Sequence, residues 1–161
     1  MSPDDSGITF SIDATEGSSR RLFVGINIEG PFIQPILKLH FPRWVPGSYF
    51  LREPIQHMTE FVATDEEGNV LKSYRHEVDA MKIKIPQNTK SISISYKLLA
   101  TELSCRSNHL DSTHIHMMPP FTWFLPTAGI DEKRMNKKHS ISLHTPSTWS
   151  AATQYKLESS K

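Results

Sequence analysis

The 161-residue chain has a single cysteine, Cys105, so no internal disulfide can staple it, and this usage fits a reducing compartment. Charge of one sign is missing too. Eighteen lysines and arginines stand against seventeen aspartates and glutamates, and a net charge of +1 offers a nucleic-acid backbone little to hold. No apolar run approaches the roughly 20 residues that a bilayer-spanning helix needs. The acidic start "MSPDDSGITF" has neither the basic nor the apolar region of a secretory signal. These absences predict a cytoplasmic protein that meets neither membrane nor nucleic acid. Catalytic signatures are also lacking. There is no Gly-x-Ser-x-Gly elbow, no phosphate-cradling glycine loop and no His-Glu-x-x-His, since "HMTEF" and "HLDSTH" do not match it. Beside Cys105 only Arg106 would favour a thiolate. The chain alone shows no complete catalytic constellation, and no catalytic residue is assigned.

What is present is a period of two. "GITFSIDA" alternates Ile8, Phe10 and Ile12 with polar residues, and "RLFVGINIEG" does the same with Leu22, Val24, Ile26 and Ile28. Leu37, Leu39 and Phe41 follow, then Met81, Ile83 and Ile85, then Ile92, Ile94, Tyr96 and Leu98. "HSISLH" repeats the pattern with Ile141 and Leu143. Successive strand side chains point to opposite faces, so each run predicts a strand with one dry face. Turn residues fall between the runs, and residues 61–74 read as a hairpin closing over Glu67, Gly68 and Asn69. No helical stripe is sustained. Short strands at about 8–12-residue spacing predict an all-β fold, an antiparallel β-sandwich, in one domain over residues 1–161. The charged run "DEKRMNKK" reads as a surface loop, and the tail "ATQYKLESSK" reads as the approach to a further segment.

Three stretches carry candidate chemistry. In "FPRWVPGSYFLRE", residues 41–53, Pro42 and Pro46 fix φ and Gly47 opens conformations closed to other residues. Such a loop has little freedom to lose on binding, and Trp44 and Tyr49 are side chains favoured at recognition surfaces. Arg52 could pair with a carboxylate. The competing reading is a packed corner with Trp44 as a core plug. The second stretch, "CRSNHLDSTHIHMM", holds His109, Asp111, His114 and His116. His114 and His116 share a strand face and could bind zinc with a third ligand, or could be solvent-facing while Ile115 and Met117 point inward. The third, "MMPPFTWF", has two prolines and three aromatics and cannot form a central strand. Edge, rigid loop, docking patch and burial all remain open for it.

Beside that reading stands a family resemblance. Trp44, Pro46, Gly47, Ser48, Tyr49 and Arg52, followed by Ala63, Asp65 and Gly68, resemble the Trp-x-Pro-Gly-Ser-Tyr and Ala-x-Asp-x-x-Gly motifs of the glycyl-aminopeptidase family of zinc metallopeptidases. Tyr96, Ala100, Arg106, Leu110 and Asp111 resemble a second motif of its N-terminal β-domain. The likeness runs over residues 37–125, with Cys105 where valine is usual and "MMPPFTWF" in place of an Asn-Gly-Thr segment. It implies a non-catalytic N-terminal domain, a relative of that of aminopeptidase N. The family removes N-terminal residues, glycine or alanine by preference, from peptides. Zinc and the general base would lie in a catalytic domain of the same full-length protein, absent from this chain. The resemblance implies a substrate cleft drawing on Trp44, Gly47, Ser48, Tyr49, Arg52, Arg106 and Asp111. It also predicts that the lone domain exposes an apolar face and has no activity. A different class, a stand-alone peptide- or carbohydrate-binding module built on Trp44, Tyr49 and Trp123, is the alternative; a small metalloprotein on His109, Asp111, His114 and His116 is a third.

Overall fold

The structure is a computed structural model and describes residues 7–156; the acidic start and the last five residues of the tail lie outside them. Eleven strands follow in order: β1 (Thr9–Asp13), β2 (Arg21–Glu29), β3 (Ile36–His40), β4 (Met58–Asp65), β5 (Ser73–Glu77), β6 (Ala80–Lys84), β7 (Ser91–Leu99), β8 (His109–Leu110), β9 (Ile115–His116), β10 (Leu125–Ala128) and β11 (Ser140–His144). Among the described residues the helical elements are all short 3-10 turns. One sheet has the order β11-β1-β2-β7-β4 and the other β10-β3-β6-β5, while β8 and β9 form a small hairpin. The fold is a β-sandwich, as predicted.

The alternation explains the register. Leu22, Val24, Ile26 and Ile28 of β2 pair opposite Leu98, Tyr96, Ile94 and Ile92 of β7, and all eight are buried. A slip by one residue would turn both apolar rows to solvent, so burial pins the pairing. Leu37 and Leu39 of β3 face Ile83 and Met81 of β6 in the same way, and one core cluster draws on both sheets.

Four expectations need correction. The strand β11 pairs with β1 in parallel, so the first sheet is mixed rather than wholly antiparallel. Ile141 and Leu143 are 43% and 42% exposed instead of buried. Their strand is the edge of a five-stranded sheet facing a four-stranded one, which leaves an outer strand without cover. The turn at Glu67, Gly68 and Asn69 forms, with Gly68 at φ +84° and the Asp65 carboxylate accepting from the amides of Glu67 and Asn69. Its arms nevertheless part after one bridge, Thr64 to Val70: β4 joins β7 in one sheet and β5 joins β6 in the other. The charged run after residue 130 forms a 3-10 turn, Glu132–Asn136, that buries Arg134. The Arg134 guanidinium donates to the carbonyls of Glu29 and Gly30, which would otherwise end β2 unpaired.

The aromatic stretch at residues 117–124 resolves in favour of burial. A 3-10 turn, Pro119–Phe121, delivers Phe121, Thr122, Trp123 and Phe124 into the core. Phe124 lies edge-on to Phe41, Tyr96 and Phe61 with centroids 4.7, 5.5 and 5.8 Å away. Trp123 packs on Phe10 at 5.3 Å. The buried Tyr96 hydroxyl donates to the Thr122 carbonyl at 2.6 Å, and burial pushes that phenol well above its ordinary range. The tryptophan that plugs the core is thus Trp123, not Trp44.

Candidate functional site

Residues 41–57 leave β3 from the buried Phe41 and return to β4 through the buried Pro54 and Ile55. The base of this loop is closed by the Arg52 amide donating to the Arg43 carbonyl at 2.7 Å and by an Arg43–Glu53 ion pair at 2.7 Å. Arg43, rather than Arg52, takes the carboxylate. Arg52 is half-buried, and among the described residues its Nε has no hydrogen-bond partner. At the tip the Ser48 amide donates to the Val45 carbonyl at 3.1 Å, with Pro46 and Gly47 (φ +87°) between them. That is the order a type II turn demands, proline first and a positive-φ residue second. The Trp44 indole donates to the Ser48 carbonyl at 2.8 Å and lies along the turn. Ser48 Oγ donates onward to the Phe50 carbonyl at 2.8 Å. The sequence therefore folds into a clamped loop whose apolar side chains point outward: Trp44 is 52% exposed, Tyr49 97%, Phe50 66% and Leu51 63%. Phe50 and Leu51 were not among the predicted site residues, although they directly follow the motif.

The hairpin of β8 and β9 pairs His109 with His116 and Leu110 with Ile115. Leu110 is buried, and Ile115 and Met117 pack on the core, as the inward reading predicts. The Asp111 carboxylate organises the connection. Its Oδ1 accepts from the Thr113 amide and hydroxyl, both at 2.7 Å, and from the His114 amide at 3.0 Å. Its Oδ2 lies 3.0 Å from His109 Nε2, and His114 Nδ1 lies 3.4 Å from Oδ1. Bonding to His109 first, and to Thr113 and the His114 amide next, holds this carboxyl well below the usual carboxylate range. The mutually close set is His109, Asp111 and His114, whose ligand atoms all lie within 4.8 Å of one another. His116 stands outside that set, so the expected His114–His116 pair gives way to His109 with His114. Register, not spacing along one strand, decides this, because the turn folds His114 back beside His109. His114, Thr113 and Ile115 also line a cleft of about 300 Å³ with Thr148, Trp149 and Ser150.

Loop and hairpin occupy the same end of the sandwich. Met58, which follows the loop, pairs with Leu98 near the end of β7, and β7 leads directly through Ala100 to the hairpin, where the Leu110 amide donates to the Ala100 carbonyl. The 3-10 turn Gly17–Ser19 is there too; a Cβ on Gly17 would overlap the Asp111 carbonyl. Arg106 and Cys105 are exposed in the bend before β8, and among the described residues the Arg106 side chain joins neither loop nor cluster. Trp123, being buried, cannot share a ligand platform with Trp44 and Tyr49. Sequence reasoning missed Asn108, whose buried side chain donates to the Phe121 carbonyl at 2.9 Å and accepts from the Met118 amide at 2.8 Å. An asparagine at the mouth of a strand was the available signal.

Comparison with known proteins now bears on this arrangement. The family model of the peptidase M61 N-terminal domain matches residues 9–161. The chain belongs to that family. Among solved structures, an aminopeptidase N family protein from Idiomarina loihiensis superposes on this M61 N-terminal domain with a TM-score of 0.75 at 21% identity. The likeness covers 87% of this chain and 22% of that one, and at that identity it shows the fold. A search of curated proteins returned no match. The match bears out the coarser part of what the sequence motifs implied, an N-terminal domain of a peptidase. Among its described residues no helix is long and apolar enough to cross a membrane.

Proposed function

We propose that this M61 N-terminal domain is a non-catalytic module of a glycyl-aminopeptidase-type enzyme. It packs against the catalytic domain of the same full-length protein and lends its 44–51 loop to the wall of the peptide cleft. One observation carries the reading: a loop clamped by an ion pair, a proline and a positive-φ glycine holds Trp44, Tyr49, Phe50 and Leu51 out to solvent. Apolar side chains gathered in this way mark an interface, and preordering lowers the entropy that docking costs. The occupant is the catalytic domain because the family defines the module as the N-terminal part of a peptidase. Zinc, held by that domain, would polarise the scissile carbonyl and activate water. This chain's residues would bound and orient the peptide's N-terminal segment, with glycine or alanine preferred there.

The test is the full-length protein carrying Tyr49→Ala, assayed on glycyl and alanyl substrates. The expected result is a drop in kcat/KM of about tenfold or more, the scale of losing an interface anchor, with the melting of the N-terminal domain unchanged. Unchanged kcat/KM in that variant, and in Trp44→Ala, removes the loop from the cleft.

A further inference from the structure

We propose that the β8–β9 hairpin binds one divalent ion of the zinc class through His109, Asp111 and His114. The donor set is two imidazoles and a carboxylate, the borderline ligands that zinc favours. Bonds of about 2.0–2.1 Å to a tetrahedral zinc set its ligand atoms roughly 3.3 Å apart. The carboxylate already stands with Oδ2 3.0 Å from His109 Nε2 and Oδ1 3.4 Å from His114 Nδ1, and one ligand atom from each of the three residues lies within 4.8 Å of the other two. A turn-capping aspartate accounts for the three bonds to Oδ1, but it needs no imidazole on either side. Here two converge, with ring centroids 5.0 Å apart.

The site is also prepared and reachable. Three donors pin Oδ1 while Oδ2 lies against His109 Nε2, an outer shell of the kind that orients a ligating carboxylate. An ion would take the place of Thr113 Oγ1, 2.9 Å away, as the partner of His114 Nδ1. His109 is 7% exposed and held by strand pairing to His116 and by Leu110 in the core beside it. Its Nδ1 is buried without a partner among the described residues. With the ion on Nε2 that atom stays as it is, buried and unpaired, so binding adds no further unsatisfied group. His114 is exposed and lines the cleft of about 300 Å³ with Thr113 and Trp149, which supplies an entry path and room for a water in a fourth position.

The experiment titrates the untagged 161-residue chain with zinc chloride by calorimetry, and with cobalt(II) by its visible absorption and by quenching of Trp149. Expected are one ion per chain, cobalt quenching that is lost in Trp149→Phe, and affinity weakened at least tenfold in His114→Ala, with His76→Ala as an unaffected control. His114 is exposed, so that variant folds and decides the matter even if Asp111→Asn loosens the turn. No saturable binding at micromolar zinc overturns the proposal, as does undiminished binding by His114→Ala.

Discussion

Truncating two neighbours in the 44–51 loop separates presentation from packing. Tyr49 is 97% exposed, so Tyr49→Ala in this domain removes almost no buried surface and should change its stability by less than about 0.5 kcal/mol. Trp44 is 52% exposed. An indole buries about 200 Å² when fully covered, so roughly 100 Å² are lost in Trp44→Ala. At about 25 cal/mol per Å² that is about 2.5 kcal/mol, an upper bound because unfolded chains already cover some surface. The bond from the indole to the Ser48 carbonyl contributes a further ~0.5–1 kcal/mol at a site open to water. The expected loss is about 2 kcal/mol. In urea, with an m-value of about 2 kcal/mol per molar, the midpoint of Trp44→Ala falls by about 1 M while that of Tyr49→Ala stays. Circular dichroism follows both. A Tyr49→Ala midpoint shifted as far as that of Trp44→Ala would refute the reasoning, since the phenol would then be packed rather than presented.

Tyr96→Phe leaves the buried Thr122 carbonyl unpaired and should cost about 1–3 kcal/mol in urea unfolding. The same phenol links stability to alkaline pH. Its folded pKa lies well above that of an ordinary tyrosine, so the folded state holds the proton longer; the contribution is full below about 10 and lost as pH rises beyond it, a decline that Tyr96→Phe should lack. Gly68→Ala and Gly129→Ala both face positive φ, +84° and +102°, but only Gly129 also meets backbone, with Ile36 O at 2.7 Å and Leu37 Cα at 2.8 Å. The first should cost about 1 kcal/mol and the second distinctly more, by thermal melting; equal losses would contradict the crowding. Arg134→Leu strips the cap from the Glu29 and Gly30 carbonyls and should cost about 2–3 kcal/mol, whereas a solvent-facing arginine would tolerate the change.

Residue order alone determined every buried row of β1, β2, β3, β6 and β7, because a strand's faces follow from its period of two and need no knowledge of partners. It also determined the turn at Gly68 and the rigidity of the Pro46–Gly47 tip, which are local consequences of backbone chemistry. Partnership was a different matter. Loop-closure cost rises only slowly with length, so spacing does not say that β11 returns to lie parallel beside β1, or that β4 and β5 part into different sheets. Nor do residue types distinguish Trp123, carried inward by a 3-10 turn, from Trp44, held outward by a clamped loop. The same holds for Arg134, buried because two strand-end carbonyls lacked donors, and for His109, joined to His114 by a fold-back that only the hairpin creates. Facing is encoded within a few residues, while neighbours are chosen across the whole chain, and the candidate sites of this domain depend on its neighbours.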